Sequence, residues 1–299
     1  MTAVASPRLP SWARRPVGPL APQARPLRLL LREQRLVTVC EEARCPNLPD
    51  CFGRGTATFM LLGDRCTRRC GYCAVSTARP AAPDPAEPGR ISELAVRMGL
   101  RYVVLTAVAR DDLRDGGAEH FAATVEAIRD RAPSVRIEVL TPDFKGRWES
   151  TRRVVSARPD VFNHNVETVS RLFPRVRPQG SYRRSLDLLA GVKRARPDQV
   201  TKSGLMIGLG ETDAEVEEVL GDLREARVDV VTLGQYLRPS RDHLPVARYL
   251  PPSGFEHLAE RARSLGFPAV YSGVFVRSSF NAEEVYESGA RTGGPRALS

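Results

Sequence analysis

The sequence predicts an α/β fold built on a parallel sheet. Two observations carry that prediction. From Ala57 onward, short apolar or β-branched runs alternate with longer stretches of helical periodicity. Six such pairs succeed one another, each requiring a crossover that returns to the same sheet. The 299 residues suffice for one large domain with an ample core. Periodicity leaves a doubly wound sheet and a sheet curled toward a barrel equally open.

Residues 1–31 come first and are rich in proline and arginine. Pro7, Pro10, Pro16, Pro19, Pro22 and Pro26 predict a flexible arm in which no helix starts. A mitochondrial transit peptide would be as Arg-rich but helical, and a secretory signal needs a continuous apolar run that is missing, so neither is expected. Leu29 to Val39 leads, as a short helix or strand, into Cys40. Strands are expected at Thr58–Leu62, Tyr102–Ala107, Arg136–Leu140, Val161–Asn165, Gly204–Gly208 and Val230–Gln235. The helices expected with them are Ile91–Met98, Ala118–Arg131, Arg147–Ala157, Tyr182–Ala195, Asp213–Ala226 and Ser253–Leu265. Asp213 in GETDAEVEEV and Ser253 in PPSGFEHL stand where N-caps belong.

The formal charge of +10 points to an acidic partner, with an arginine-rich but merely solvated surface as the plain alternative. No apolar run approaches the roughly 20 residues of a membrane span, so no membrane association is expected. All six cysteines lie between Cys40 and Cys73. Crowded into one segment of a long chain, they do not form a secreted disulfide framework. They imply metal binding in a reducing, cytoplasmic compartment.

The second group, Cys66-x-x-x-Cys70-x-x-Cys73, follows directly on the apolar run Ala57 to Gly63. A [4Fe–4S] cube takes a ligand on each iron. Three thiolates therefore leave one iron open to a bidentate molecule such as the amino and carboxylate groups of S-adenosylmethionine. A zinc site would pair C-x-x-C units and close on a fourth Cys or His, and no second C-x-x-C exists here. The first group, Cys40, Cys45 and Cys51, also lacks a fourth ligand, so two trios point to two clusters. Among the strand ends, Asn165 reads equally as a cap, and His164 reads as a satisfied structural histidine because none of the four histidines has ligand spacing. GLGE at Gly208–Glu211 is neither GxGxxG nor a Walker loop. It suits either close backbone approach to a ligand or tight strand-to-helix packing.

The Cys66 spacing resembles the radical SAM signature, and CEEARCPNLPDC followed by GTATFMLLGDRCTRRC resembles lipoyl synthase. YVVLTAVARDDLRDGGAEHF, EVLTPDFKG, PDVFNHNVETVSRLFPRVRP, TKSGLMIGLGETDAEV and GQYLRPSRDHLPVARY carry the resemblance from Val39 to Ser279. It implies a partial (β/α)6 TIM-type barrel at 57–270, opened to admit a bulky substrate, with chemistry at the C-terminal ends of the strands. It also implies an auxiliary-cluster extension at 32–56 and a C-terminal extension at 271–299. Two [4Fe–4S] clusters and S-adenosylmethionine are the implied cofactors.

On this resemblance the cluster on Cys66, Cys70 and Cys73 reduces S-adenosylmethionine to methionine and a 5′-deoxyadenosyl radical. An auxiliary cluster on Cys40, Cys45, Cys51 and a serine donates sulfur to C6 and C8 of a protein-bound octanoyl-lysine. The serine comes from Arg277-Ser278-Ser279-Phe280, and Ser279 is the one expected to bind. Thr106, Asn163, Asn165, Glu167 and Gln235 are the expected S-adenosylmethionine contacts, Glu167 and Gln235 toward its ribose hydroxyls or amino group. The implied partners are octanoylated carrier domains (2-oxoacid dehydrogenase E2 subunits and the glycine cleavage H protein), an electron donor such as flavodoxin or ferredoxin, and an iron–sulfur carrier for repair. The chain departs from the family pattern at Ala109, usually Asp, at Gly71-Tyr72, usually Pro-Phe, and at Phe280, usually Tyr. The rival readings are a tRNA methylthiotransferase, which should carry an added RNA-binding domain where none follows the barrel, and a non-enzymatic iron–sulfur carrier, which leaves the barrel motifs without purpose. No nucleic-acid partner is expected.

Overall fold

In the computed structural model, described for residues 7–14, 24–34, 36–42, 47, 51 and 56–279, the strands form one parallel sheet. Its order is β1 (Ala57–Leu61), β4 (Tyr102–Ala107), β5 (Arg136–Leu140), β6 (Val161–Asn163), β7 (Val200–Ile207), β8 (Val230–Gln235) and β9 (Ala269–Gly273). Every neighbour pair is parallel, and β1 and β9 remain the two edges. The two-residue strands β2 (Arg65–Cys66) and β3 (Ser76–Thr77) pair with each other inside the loop after β1. The α/β partial barrel is thus present, with one strand more than the six expected.

Each main strand has two unlike faces because side chains alternate along it. Val103 and Leu105, Ile137 and Val139, Phe162, Leu205 and Ile207, and Val231 and Leu233 all lie in the main hydrophobic core. Burying each such side chain is worth about 1.5–3 kcal/mol. The alternate positions Tyr102, Glu138, Asn163 and Lys202 form a hydrogen-bonded polar set on the opposite, inner face. Between strands run α3 (Glu87–Arg97), α4 (Ala118–Arg131), α5 (Trp148–Ser156), α6 (Phe173–Val176), α7 (Tyr182–Ala195), α8 (Asp213–Glu225) and α9 (Pro252–Ser264).

Several expectations need correction. The arm is not free of helix: α1 (Ala24–Glu33) contains Pro26 in its first turn, where no intrahelical N–H bond is required. Nor is all of it loose, since Ala13 is buried and Trp12 meets Tyr249 edge-on at 6.4 Å. Cys40 lies in a second short helix, α2 (Val39–Glu42). The cap of α8 is Thr212, one residue earlier than expected, in a capping box with Glu215. Pro251, not Ser253, precedes α9. β7 begins at Val200 rather than Gly204, because polar Thr201, Lys202 and Ser203 are strand residues that lie buried. β6 stops at Asn163, and Glu167 makes only an isolated bridge to Leu205. β9 runs across the boundary expected at 270.

Because all the strands are parallel, every loop that follows one leaves from the same rim. The cysteine loop after β1, residues 108–117 after β4, 141–147 after β5, 164–172 after β6, 208–212 after β7, 236–251 after β8 and 274–279 after β9 therefore share one end of the barrel.

Candidate active site at the barrel rim

The cysteine loop is fastened on all sides. Leu62 and Gly63 leave β1 with positive φ (67° and 88°), turning the chain sharply toward β2. Thr67 binds Ala109 twice, N–H to carbonyl at 3.0 Å and hydroxyl to carbonyl at 2.8 Å, and accepts from Asp111 N–H at 3.0 Å. Gly71 donates to Val176 carbonyl and accepts from Leu244 N–H, both at 2.9 Å. A Cβ at Gly71 would lie 2.8 Å from the Leu244 side chain and 3.3 Å from the Arg175 carbonyl, so glycine permits this double anchorage. His243 Nε2 bonds the Cys73 carbonyl at 3.0 Å.

Arg68 is the buried cation beneath the loop. It forks onto Asp111 at 2.8 and 2.9 Å and reaches Asp143 at 2.6 Å. Burial opposes its charge, but the bonds to Asp111 and Asp143 outweigh that and raise its affinity for the proton. Burial likewise works against the Asp143 anion, and Arg68 overcomes it, holding the carboxyl well below the usual range. Asp143 also accepts from Arg184 at 2.9 Å, which ties the rim to α7.

Cys66, Cys70 and Cys73 are all half-buried on this loop. The Arg68 N–H faces Cys66 Sγ at 3.4 Å. Burial pushes the Cys73 thiol up to about 12 and Cys70 upward too, with repulsion from the other thiols and from Glu167 adding to both. Arg177 and Arg68 oppose that rise at Cys70. A crowded, partly desolvated thiolate set of this kind calls for bound positive charge, which irons would supply. Among the described residues no three His, Cys, Asp or Glu converge as ligands of one ion. A cluster does not require that, because each iron takes its own thiolate.

Around the trio, the residues expected to hold S-adenosylmethionine divide. Glu167 stands beside Cys70 and Cys73, half-buried with a positive φ of 68°. Burial raises its pKa, while Arg177, the Asn165 amide and the Tyr72 phenol favour the anion. Asn165 Nδ2 donates to it at 3.1 Å. Thr106 has its hydroxyl on the Leu140 carbonyl at 2.9 Å, with a lone pair left over. Asn163 lies deeper, wholly buried, donating to Glu138 and Ser278 at 2.7 Å each.

Gln235 acts as a brace between strand and strap. Its Nε2 reaches the carbonyls of Ile207, Tyr236 and Arg248, its Oε1 accepts from Leu250 N–H at 2.9 Å, and the side chain is buried. GLGE is likewise self-contained. Glu211 curls back to accept the N–H groups of Gly208, Leu209 and Gly210 at 2.7, 2.9 and 3.1 Å, and a Cβ at Gly208 would collide with Gln235 and the Arg248 carbonyl. These contacts fit the tight-packing reading of the loop. His164 is the structural histidine expected: Nδ1 donates to the Thr141 carbonyl at 2.8 Å and Nε2 meets Ser185 Oγ at 3.0 Å.

Sequence reasoning missed Arg177, which donates to the Asn165 carbonyl at 2.7 Å and acts on Cys70, Tyr72 and Glu167. It also missed the buried pair Lys202–Glu138, whose Nζ lies 3.1 Å from both carboxylate oxygens. Charged Glu138 between Ile137 and Val139, and Lys202 just before the apolar run Leu205–Ile207, were the available signals.

Comparison with known proteins decides the family. Residues 60–223 match the Radical SAM superfamily. Lipoyl synthase of Methylococcus capsulatus is 56% identical over 93% of this chain and 86% of its own length, and that of Thermus thermophilus is 52% identical over the same shares. The chain belongs to the lipoyl synthase family. Streptococcus suis SuiB bound to S-adenosylmethionine, at 10% identity and a TM-score of 0.56 over 75% of this chain and 53% of that one, shares the fold. A lipoyl synthase uses [4Fe–4S] clusters and S-adenosylmethionine, and the rim described above has the thiol set for the first of them.

The residues expected at the auxiliary cluster are only partly described. Cys45 and Phe280 lie outside the described residues, as does the side chain of Cys40. Cys51 N–H bonds the Asn47 carbonyl at 3.0 Å. Asn47, wholly buried, donates from Nδ2 to the Phe275 carbonyl at 2.7 Å, which joins the first cysteine segment to the C-terminal one across 228 positions. Its Oδ1 has no partner among the described residues. Ser278 has its hydroxyl on Asn165, and Ser279 follows half-buried in the same turn. The Tyr72 departure gives Glu167 a phenol partner that phenylalanine would not.

Proposed function

We propose that the chain inserts two sulfur atoms, at C6 and C8, into an octanoyl chain carried on a lysine of a lipoyl carrier domain. The observation that best supports this over a single-cluster radical enzyme is the Asn47–Phe275 bond. It ties Asn47, which also bonds Cys51, to Phe275, two residues before Arg277 on the rim that bears Cys66, Cys70 and Cys73. In this reading the Cys66 trio would hold one cluster, and Cys40, Cys45, Cys51 and Ser279 would hold the second, which would supply the sulfur.

The two methylene carbons bear hydrogens far outside the range in which protein bases work, so no side chain here can remove them. The clusters and S-adenosylmethionine, when bound, supply the hydrogen-abstracting radical and the sulfur. The chain's own residues bind and orient. Glu167, where burial works against the carboxylate and Arg177, Asn165 and Tyr72 favour it, is the group this reading assigns to the ammonium of S-adenosylmethionine. Thr106 offers a lone pair from β4. Arg68, locked to Asp111 and Asp143, keeps the cysteine loop from shifting. Serine oxygen is a harder donor than thiolate and a poorer match for cluster iron, which makes the second cluster the easier to dismantle.

The carriers in this reading are 2-oxoacid dehydrogenase E2 domains and the glycine cleavage H protein. Where these are acidic, the +10 charge speeds their association more than it tightens binding. Flavodoxin or ferredoxin supplies electrons, an iron–sulfur carrier rebuilds the second cluster, and the setting is the cytoplasm. Among the described residues no helix is long and apolar enough to cross a membrane. The test is to incubate anaerobically reconstituted protein with dithionite, S-adenosylmethionine and an octanoyl-lysyl peptide. A peptide gaining two sulfurs by mass is expected, and S-adenosylmethionine cleavage without any sulfur gain refutes the assignment.

A further inference from the structure

The segment after β9 is gripped by the inside of the barrel. Ser278 Oγ donates to Asn165 Oδ1 at 2.9 Å and accepts from Asn163 Nδ2 at 2.7 Å, residues 113 and 115 positions earlier. Neither amide is free to turn away. Asn165 is oriented by its own Nδ2, which faces Glu167 at 3.1 Å. Asn163 is oriented by Glu138, whose Oε1 accepts its second contact at 2.7 Å. Glu138 is in turn held by Lys202 at 3.1 Å and by the Tyr102 hydroxyl at 2.9 Å. A glycine, Gly234, lets the segment lie this close, since a Cβ there would collide with the Val276 carbonyl.

We infer that Ser278, Asn163 and Asn165 form a latch that presents the next residue, Ser279, to the second cluster; this rests on Ser279 being that cluster's fourth ligand. Two physical arguments support it. A hydroxyl whose proton is directed at Asn165 would have to give up that bond to become a metal ligand, so Ser278 is the holder and its neighbour the donor. An oxygen ligand is also a weak match for cluster iron. It binds only if the entropy of ordering its segment has already been lost in folding, and the latch does that. Asn163 and Asn165 then act as positioning residues on the segment, and the S-adenosylmethionine contacts expected of them pass to Glu167.

The experiment uses the full-length reconstituted protein and the variants Ser278→Ala, Ser278→Thr, Asn165→Ala and Ser279→Ala. Hydrogen–deuterium exchange is followed over residues 274–279. The second cluster is examined by Mössbauer spectroscopy in a background with Cys66, Cys70 and Cys73 changed to alanine. Losing the latch bonds should speed exchange of the segment about tenfold in Ser278→Ala and Asn165→Ala. Both should shift the cluster signature toward that of Ser279→Ala, and Ser278→Thr, which keeps the hydroxyl, should restore exchange and signature alike. Wild-type exchange and signature in Ser278→Ala overturn the latch while a shifted Ser279→Ala still upholds the ligand. An unshifted signature in Ser279→Ala overturns the ligand assignment and the latch with it. If Asn165→Ala leaves exchange unchanged but weakens S-adenosylmethionine binding, Asn165 is a cofactor contact and the latch is wrong.

Discussion

Replacing Lys202 by methionine tests the polar interior of the barrel. Lys202 and Glu138 are both essentially without solvent exposure, at 0% and 1% of their side chains, and each carboxylate oxygen lies 3.1 Å from Nζ. Methionine fills nearly the same volume, so the loss is of charge and not of packing. It leaves a buried carboxylate with two neutral donors, the Tyr102 hydroxyl and the Asn163 amide. Breaking a buried pair from one side costs about 3–5 kcal/mol. The two surviving hydrogen bonds to a charged acceptor keep the effect toward the lower end, about 3–4 kcal/mol. For a chain of this size that is a fall in Tm of roughly 5–10 °C. The assay is urea unfolding of cluster-free protein followed by circular dichroism, with Glu138→Gln and the double variant completing a cycle. In Glu138→Gln/Lys202→Met the charge is gone, and the loss should shrink to about 2 kcal/mol or less, far below the sum of the singles. A Lys202→Met loss under about 1 kcal/mol, or a double variant equal to that sum, would show that the pair is not a coupled unit.

Three further outcomes are expected. Changing Cys66, Cys70 and Cys73 together to alanine should leave about one [4Fe–4S] cluster of two after anaerobic reconstitution, read by iron and sulfide content; complete loss of iron would defeat the two-site reading. Burial, helped by Arg177, depresses His164 to about 4, so the unfolded chain binds the extra proton between about pH 6.5 and 4. Stability should be flat above that window and fall by about 2 kcal/mol on going from pH 7.5 to 5. In cluster-free protein His164→Gln should lose this component of the slope, and an unchanged slope would remove His164 as its source. With heavy sulfide in the clusters and light sulfide in solution, the first-turnover product should carry heavy sulfur and each chain should make about one product; light sulfur in that product would rule out the cluster as donor.

The fold and the cysteine loop were legible because their signals are local. All six expected strands exist, since alternation of apolar runs with helical periodicity is written into contiguous residues. What escaped was set by partners far away in sequence. β7 was cut short because Thr201, Lys202 and Ser203 look unlike a strand until Asp229, Glu138 and the Val166 N–H are seen to satisfy them. Gln235 looked like a cofactor contact because a polar side chain ends a strand at the rim, and only the strap at Arg248–Leu250 reveals what it holds. At Ala24–Glu33 proline density is a poor guide, because Pro26 falls in a first turn that tolerates it.

These misses share a physical cause that bears on the site itself. A parallel barrel must close one face of every strand against helices, which consumes the apolar residues and leaves the inner row to be chosen for other reasons. Here that row carries a charge pair and an amide, which contribute little net stability against an apolar filling of the same volume. They do fix direction. Tyr102, Glu138, Asn163 and Lys202 come from four adjacent strands, β4 to β7, and the amide of Asn163 continues the network to Ser278 beyond β9. An apolar interior could make the barrel as stable, but it would offer no hydrogen-bond donor to hold the segment that carries Ser279. The buried polar row is therefore better explained by what it positions at the rim than by what it adds to the core.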